Sequence, residues 1–330
     1  MTAQPKAEPA IAVLLPCYNE ERTIGAVVRG FRAALPGAAI HVYDNNSSDL
    51  TAIEARAAGA IVVREPRQGK GNVVRRMFAD IDADIYVMAD GDGTYDPADA
   101  PLLVNTLLTE RADMAVGTRR GVTDDAGRTG HAFGNRLFNG LYQFLFGRDF
   151  TDILSGYRAF SRRFVKSFPA VSGGFEIETE MSVHASMLRI PVCEIGLDYG
   201  RRPEGSHSKL STFGDGFRIL WMFAMLMKET RPARFFGALA GLFLLASAGF
   251  AVPVLYEYFA TGYVARVPTW ILSIGLLSLS MIMIVAGLIL DSVARGRSEQ
   301  KRIHYLALAP ARRDAEVVAL PVPGREARRA

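Results

Sequence analysis

The chain has 330 residues, which is enough for one large domain or for one domain with appended segments. Hydrophobic residues make up 49% of the chain, a share that is high for a purely soluble protein. The formal net charge of +4 gives no reason to expect a nucleic-acid partner. The two cysteines, Cys17 and Cys193, have neither metal-site spacing nor a disulfide framework, which is typical of free thiols in the cytosol.

Strand-like and helix-like segments alternate through the first third of the chain. They follow a polar tail over residues 1–10, which lacks the apolar core of a signal peptide. The alternation predicts βαβ units and an α/β domain with a mainly parallel sheet. The predicted strands cover residues 11–15, 40–43, 60–64, 85–88 and 114–118, and the predicted helices cover residues 23–34, 51–58, 67–80 and 97–109.

Polar loops follow the carboxyl ends of the predicted strands or open the helices after them. Ligands of parallel α/β sheets bind beyond these strand ends, so we expect the loops to converge on one rim. Gly69-Lys70-Gly71 opens a helix and could receive a phosphate, although it does not match a Walker A loop. The first strand is not followed by G-x-G-x-x-G, which disfavours a dinucleotide-binding fold. The residues expected at the rim are Tyr18, Asn19, Glu20, Asp44, Asp49, Arg67, Lys70, Asp90 and Asp92.

Two acids, Asp90 and Asp92, come directly after the fourth predicted strand. In a tight turn both carboxylates can face one hard cation, and Gly91 leaves room for a bulky ligand. Such a pair would hold Mg²⁺ together with substrate phosphates. The alternative is an acidic surface turn that starts a helix. For Asp96 we prefer that interpretation, with Asp96 as the N-cap and Pro97 at the first helical position.

The alternation fades after residue 118, and the segments that follow are more irregular. A helix predicted over residues 133–146 carries Arg136, and a turn after it carries Asp152. A helix at 175–187 and a strand at 192–199 complete the domain before a basic segment that contains Lys209.

Two long uncharged segments, residues 235–255 and 269–290, are each about as long as the core of a bilayer requires. They predict two membrane helices, with buried core helices as the alternative. Residues 211–230 have the pattern of an amphipathic helix that lies along the membrane interface, although packing against the domain explains this pattern equally well. The basic tail, residues 291–330, is predicted to be partly disordered.

Basic residues flank the two predicted membrane helices, whereas the loop between them carries one arginine, Arg266. The positive-inside rule places both ends in the cytoplasm and the loop outside. The sequence thus predicts a multi-pass protein of the inner (cytoplasmic) membrane with residues 1–230 in the cytoplasm. The flanking basic residues are Arg231, Arg234, Arg295, Arg297, Lys301 and Arg302.

Seven short motifs occur in order between residues 11 and 210, and the ordered set is specific although each motif is degenerate alone. The motifs are Pro16-Cys17-Tyr18-Asn19-Glu20, Asp44 with Asn46-Ser47-Ser48-Asp49, Gly69-Lys70-Gly71, Asp90-Gly91-Asp92, Gly117-Thr118-Arg119, Ser155-Gly156-Tyr157-Arg158 and Ser206-His207-Ser208-Lys209-Leu210. The set resembles the family 2 glycosyltransferases, and more narrowly the polyprenyl-phosphate (dolichyl-phosphate) hexose synthases. The resemblance implies a GT-A fold, which is Rossmann-like, over residues 11–210. One departure is Thr94, where some relatives carry a glutamine that contacts the metal.

The resemblance also implies roles for individual residues. Asp92 would ligate a Mg²⁺ or Mn²⁺ ion at the diphosphate of a nucleotide sugar, with Asp90 on the ribose or metal side. Lys209 would reach the same diphosphate, and Arg119 and Arg136 would take the phosphate of the acceptor. The residues that would hold the base and ribose are Pro16, Tyr18, Glu20 and Asp44.

Asp152 would lie near the reacting carbon, where two roles are open. A hydroxyl acceptor needs a general base, whereas a polyprenyl phosphate is already anionic and needs alignment by arginines. Asp152 is therefore either the base or a residue that orients an arginine or the metal. The alternatives are a turn-capping Asp152 and a solvated Arg136 on a helix surface.

The resemblance implies an inverting transferase that moves a hexose from a UDP- or GDP-sugar to a polyprenyl phosphate at the cytoplasmic face. Its product would be a lipid-linked sugar donor for envelope glycan assembly. One alternative keeps the fold but uses a glycolipid or diacylglycerol-type hydroxyl as acceptor, and another is a non-catalytic membrane scaffold. A sugar nucleotidyltransferase is disfavoured because its glycine-rich phosphate loop is absent after the first strand. The sequence leaves a homo-oligomer open.

Overall fold

The computed structural model of the chain has two compact units, residues 1–212 with 301–330 (the sheet unit) and residues 213–300 (the helical unit). The described residues are 9–120, 139–140, 142–144, 146–147, 149–174, 176–200, 221 and 223–310. Several predicted features lie partly or wholly outside them: the tail at 1–10, the helix at 133–146, the motif at 206–210, the interfacial helix at 211–230 and the end of the tail at 291–330.

One mainly parallel sheet organises the sheet unit. Its strands are β1 (Ile11–Cys17), β2 (Ala39–Asp44), β3 (Ile61–Arg64), β4 (Ile85–Met88), β5 (Met114–Arg120), β6 (Arg158–Ser161) and β7 (Val192–Asp198). Within the described residues the order is β3-β2-β1-β4-β6-β5-β7, and only β6 runs antiparallel to its neighbours. The predicted α/β fold with a mainly parallel sheet is therefore confirmed. The sequence does not predict β6, because four residues that begin with an arginine show no strand alternation.

The helices of this unit form two groups. They are α1 (Ile24–Ala34), α2 (Thr51–Ala57), α3 (Lys70–Asp80), α4 (Ala100–Thr109), α5 (Arg162–Ser167) and α6 (Ile177–Leu188). Helix α1 contacts α2 and α4, whereas α3 contacts α5 and α6. The interpretation of Asp96 as an N-cap is confirmed, because its carboxylate accepts the N–H of Ala98 at 2.9 Å beside a short 3₁₀ turn that begins at Pro97.

Strand β1 lies in the middle of the sheet, and its position explains its composition. Residues 12–15 are at most 2% exposed, so both faces of the strand are covered, as is typical of central parallel strands. The strand continues past its predicted end at Leu15 and includes Pro16. Pairing with β4 stops at Leu14 and Met88, so the missing N–H of Pro16 interrupts no ladder on that side.

The two sides of the sheet have different cores. The apolar stripe of α1 is buried against one side, as expected for an amphipathic helix. On the side of α3, Phe164 stacks between Phe160 and Phe168 with ring centroids 5.1 and 5.7 Å apart. The buried residues of α1 are Ile24, Gly25, Val27, Val28 and Phe31.

The long apolar helices are α7 (Pro232–Thr261) and α8 (Val267–Ala307), and each contains an 18-residue apolar stretch, with mean hydropathies of 2.2 and 2.4 respectively. Both are long and apolar enough to cross a membrane, and both extend beyond the predicted spans at 235–255 and 269–290. Only 17% of each apolar stretch is buried, which is unlike a core helix of a soluble domain. Within the helical unit, the hydroxyls of Ser247 and Ser273 donate to each other's carbonyl oxygens at 2.8 and 3.0 Å, and these hydrogen bonds join the two apolar helices.

The last turns of α8 belong to the sheet unit, where they complete a buried cluster around Asp113. This carboxylate is 2% exposed and lies just before β5, at the end of the strand opposite the carboxyl edge. It accepts hydrogen bonds from Ser161 and Arg163, both at 2.6 Å, and from the hydroxyl of Tyr305. The guanidinium of Arg163 also covers the Tyr305 ring, 4.2 Å from its centroid.

Candidate active site

The loops beyond β1 and β2 start at the same level of the sheet. The register of these parallel strands pairs Cys17 with Asp44, so both loops leave the carboxyl edge side by side. The hydroxyl of Thr51 then accepts the backbone N–H of Glu20 at 2.8 Å and joins the two loops. The register is therefore the physical cause of the convergence that the sequence predicts at this edge.

The four residues implied in nucleotide binding all lie at this edge. Pro16 is within β1, and Tyr18 is at the rim with 36% exposure. Glu20 begins the turn into α1, where its carbonyl oxygen accepts the first helical N–H groups. Asp44 is 6% exposed and accepts the N–H of Ser47 at 3.2 Å. Their role in binding a nucleotide stays a prediction.

The start of α3 is closed by the protein's own groups. The N–H of Gly69 donates to the Asn45 side chain at 2.7 Å, and that of Gly71 donates to the carbonyl oxygen of Gly174 at 3.1 Å. Gly69 has a φ of +125°, and a Cβ atom there would collide with a carbonyl of the facing loop, so both its conformation and its contact require glycine. The amides of Gly69 and Gly71 are therefore used within the protein, which disfavours the expectation that Gly69-Lys70-Gly71 receives a phosphate.

Lys70 is instead an ion-pair partner of two carboxylates, Asp90 and Glu178. The side chains of Lys70 and Glu178 are 10% and 6% exposed, whereas that of Asp90 is 31% exposed and is the member open to solvent. Burial lowers the pKa of Lys70, but the charges of Asp90 and Glu178 outweigh burial and hold the pKa above its ordinary value. Lys70 is therefore a permanent cation that fixes Asp90 at the edge.

The second acid of the motif, Asp92, is held by Thr94. Asp92 is 6% exposed, and one of its carboxylate oxygens accepts the N–H of Thr94 at 3.1 Å and the Thr94 hydroxyl at 2.6 Å. The carbonyl oxygen of Thr94 accepts the N–H of Gly200 at 2.9 Å, and Thr23 donates to the carbonyl oxygen of Gly91 at 2.7 Å. Thr94 thus orients Asp92.

Arg119 and Asp152 form a bidentate pair at the end of β5. The guanidinium donates two hydrogen bonds of 2.8 Å to the carboxylate, and the Arg119 backbone N–H donates a third at 3.2 Å. Burial raises the pKa of Asp152, but the hydrogen bonds and charge of Arg119 outweigh burial and hold the pKa below its usual value. A carboxylate with a lowered pKa is a weak proton acceptor, so this geometry favours Asp152 as the residue that orients Arg119.

The loop that carries Asp152 is fastened by Arg158, the first residue of β6. The Arg158 side chain is fully buried, and its guanidinium donates to the carbonyl oxygen of Ser155 at 2.9 Å. In the same loop the N–H of Gly156 donates to the hydroxyl of Tyr95 at 2.9 Å. Because Tyr95 follows the acidic motif directly, this bond joins the loop of Asp152 to the loop of Asp92.

Comparison with known proteins identifies the family of this site. Residues 12–168 match the family model described as Glycosyl transferase family 2. Glycosyltransferase AglJ of Haloferax volcanii is 35% identical over 302 residues, which cover 90% of this chain and 98% of that protein. The chain belongs to glycosyl transferase family 2. It is therefore an enzyme, and a non-catalytic scaffold is not supported.

Other known proteins resemble this glycosyltransferase more distantly. The dolichyl-phosphate hexose transferase of Haloferax volcanii is 27% identical over 209 residues, which cover 63% of this chain and 90% of that protein. Glucosyl-3-phosphoglycerate synthase from Mycobacterium tuberculosis, solved with Mn²⁺, uridine-diphosphate-glucose and phosphoglyceric acid, has a TM-score of 0.54 and 28% identity. That match covers 67% of this chain and 79% of the solved chain, and it confirms the GT-A-like fold.

Asp90 and Asp92 are the residues of this glycosyltransferase that could hold a divalent ion. Across the described part of the chain, no three or more His, Cys, Asp or Glu side chains are grouped as a metal site. Mg²⁺ commonly binds through one or two carboxylates and fills its shell with water and phosphate oxygens. Asp90 and Glu178 also share the single positive charge of Lys70, and the surplus of negative charge in this cluster attracts a cation. The residues thus fit the ion, and the metal role of each stays a prediction.

Two predicted site residues, Arg136 and Lys209, lie outside the described residues, so their roles stay predictions. The sequence does not predict the ion pair of Glu178 with Lys70. A run of alternating acids is visible at the start of this helix, at Glu176, Glu178 and Glu180. Helical periodicity does not reveal which of these acids is buried, because the answer depends on the distant segment that packs against the helix.

Proposed function

We propose that this glycosyltransferase is an inverting enzyme that moves a hexose from a UDP- or GDP-sugar to a polyprenyl phosphate. The bond between C1 of the sugar and the diphosphate breaks, and an oxygen of the lipid phosphate forms the new bond to C1 from the opposite face. The nucleoside diphosphate leaves, and the product is a lipid-linked sugar that can serve envelope glycan assembly at the cytoplasmic face.

The observation that carries this proposal is the bidentate pair of Arg119 with Asp152. A hydroxyl acceptor must lose a proton, and Asp152 is a poor base because both of its oxygens bind Arg119 and its pKa is lowered. A phosphate acceptor is already anionic and needs a cation that aligns it. Arg119, held in place by Asp152, supplies such a cation at the carboxyl edge of the sheet.

For the sugar donor, we assign the base and ribose to the edge formed by the first two loops. Asp92 and Asp90 would hold Mg²⁺ or Mn²⁺, which when bound would stabilise the negative charge on the departing diphosphate. The complex of the mycobacterial synthase with Mn²⁺ and uridine-diphosphate-glucose supports a metal-dependent nucleotide-sugar donor. The residues assigned to the nucleotide are Pro16, Tyr18, Glu20, Asp44 and Lys209.

The direct test measures which lipid receives which sugar. Membranes that contain the protein are incubated with radiolabelled UDP-glucose, UDP-galactose or GDP-mannose and a polyprenyl phosphate, and the lipids are extracted. We expect label in an acid-labile lipid with one of these donors, and none with the Asp92→Ala variant. Label in an acid-stable glycolipid would establish the hydroxyl-acceptor alternative instead. No labelled lipid with a panel of nucleotide sugars would contradict the proposal.

We also propose that α7 and α8 cross the inner membrane and leave the connecting loop outside. The exposed apolar surfaces of both helices and the basic residues beyond them support this arrangement. In intact cells, Tyr263→Cys should react with an impermeant thiol reagent, because Tyr263 is 70% exposed in the connecting loop. Gln300→Cys and the unmodified chain should not react, and labelling of Gln300→Cys alone would reverse the topology.

A further inference from the structure

We infer that Glu178 is a positioning residue that acts through Lys70 to hold the Asp90 carboxylate in place. It thereby strengthens binding of the metal ion and the nucleotide of the sugar donor. The inference rests on the proposed function, because it concerns the site assigned there to the metal ion. Glu178 is the second residue of α6 and makes an ion pair with Lys70, whose ammonium group also holds Asp90. Glu178 thus acts on Asp90 through another residue.

Asp90 is enclosed on two sides. One of its carboxylate oxygens contacts the ammonium group of Lys70, and the other faces Gly156. A Cβ atom on Gly156 would come within 2.9 Å of this second oxygen and within 3.3 Å of the Lys70 nitrogen. The backbone at Gly156 therefore passes directly over the ion pair. The position of the Asp90 carboxylate therefore depends on the position of Lys70.

The position of Lys70 depends in turn on the segment that leads into α6. Arg75 of α3 donates to the carbonyl oxygens of Ala170 at 2.6 Å and of Val171 at 3.0 Å. Glu180 of α6 accepts the N–H groups of Val171 at 2.9 Å and of Ser172 at 2.7 Å. These bonds join the helix that carries Lys70 to the helix that carries Glu178, so the two ion-pair partners are held at a fixed separation.

Charge explains why a second carboxylate is useful beside Lys70. With Asp90 as its sole partner, Lys70 would neutralise this acid and compete with a metal ion for it. Glu178 shares the positive charge, so Asp90 and Asp92 together remain attractive to a cation. The other oxygen of Glu178 is buried without a hydrogen-bond partner among the described residues. Such an oxygen is costly for stability, and its presence indicates a role other than stabilisation.

The test is calorimetric binding of UDP and of GDP, each with Mn²⁺, to the purified full-length protein in detergent. We expect Glu178→Gln to weaken the affinity for the preferred nucleotide by about 10- to 100-fold, as is typical when a residue that supports a metal ligand is changed. If Glu178 acts through Lys70, adding Glu178→Gln to Lys70→Met should cause no further loss. In transfer assays, Glu178→Gln should raise KM for the sugar donor and leave KM for the lipid acceptor unchanged.

Asp113→Asn is the matched control, because Asp113 is a buried, ion-paired carboxylate at the opposite end of the sheet. It should lower Tm without changing nucleotide affinity. If Glu178→Gln also lowers Tm and leaves affinity at the wild-type value, Glu178 is a structural residue and the inference is overturned. Should Glu178→Gln fail to fold, Glu178→Asp replaces it, with weakened binding expected and wild-type binding again contradicting the inference. A wild-type protein that binds neither nucleotide would overturn the proposed function itself.

Discussion

Lys70 and Arg119 are both cations buried beside carboxylates at the carboxyl edge of the sheet, but their clusters differ in charge. Lys70 lies between Asp90 and Glu178, so its cluster retains negative charge. Among the described residues, Arg119 makes its ion pair with Asp152, and that pair is neutral. The first cluster is suited to hold a cation, whereas the second presents an arginine to an incoming anion.

The chemistry of the two side chains explains the difference. An ammonium group is a compact charge that can be shared between two carboxylates from different helices and loops. A guanidinium is a planar fork that binds one carboxylate through two parallel hydrogen bonds and keeps a further N–H group for another oxygen ligand. We therefore propose that the edge of the sheet has a metal corner at Asp90 and Asp92 for the metal–diphosphate group and an acceptor corner at Arg119 for the acceptor phosphate.

The largest expected effect is on the metal corner. Asp92→Ala should lower kcat by at least about 10²–10³-fold, the usual loss when a group that stabilises transition-state charge is removed. EDTA should abolish activity of the wild type, and excess Mn²⁺ should not rescue the variant. Asp96→Ala is the control, since Asp96 is an exposed helix cap in the same loop and should retain activity. An enzyme insensitive to EDTA would contradict the assignment of Asp92.

An intermediate effect is expected at the acceptor corner. Arg119→Ala should lower kcat/KM for the lipid phosphate acceptor by about 10- to 100-fold, because a charge-assisted hydrogen bond contributes roughly 1.5–3 kcal/mol. Affinity for the nucleotide should hardly change. Asp152→Asn should act by the same route, so the double variant should lose little more than Arg119→Ala alone. Initial rates against acceptor concentration measure both effects.

If the losses of the two single variants multiply in the double variant, Asp152 works independently of Arg119, as a general base for a hydroxyl acceptor would. Arg119→Lys sharpens the same comparison. A lysine restores the charge without the fork, so it should recover only part of the activity that Arg119→Ala loses. Full recovery would show that charge alone is sufficient at this position.

The smallest expected effect is on stability as a function of pH. The pKa of Asp152 is lowered in the folded protein, so its pair with Arg119 stabilises the fold above the unfolded pKa of about 3.9. This contribution is lost as the pH falls through the lower folded pKa. The Tm difference between wild type and Asp152→Asn should therefore be constant from pH 5 to 8 and shrink below pH 4. A wild type that gains stability relative to Asp152→Asn as the pH falls from 7 to 5 would mean a raised pKa, as a general base requires.

Much of the fold follows from short-range pattern. The apolar run of β1 and the stripe of α1 predict a central strand and an amphipathic helix, and both are buried as expected. The acidic motif follows a strand, so its place at the carboxyl edge is a consequence of parallel pairing. The long uncharged segments near the C-terminus predict two apolar helices from length and composition alone.

The sequence by itself thus determined the strands of the sheet other than β6, the edge expected to carry the site and the order of its loops, because each depends on residues close together in the chain. Only the tertiary structure decided which charges meet. The carbonyl oxygen of Gly174 accepts the Gly71 amide of α3, and Lys70 at the start of the same helix lies between Asp90 and Glu178. Asp152 likewise has Arg119 as its partner through the packing of β5 against the loop before β6. Ion pairs between distant segments leave no periodic trace in a sequence, since they depend on which elements pack together and at what register.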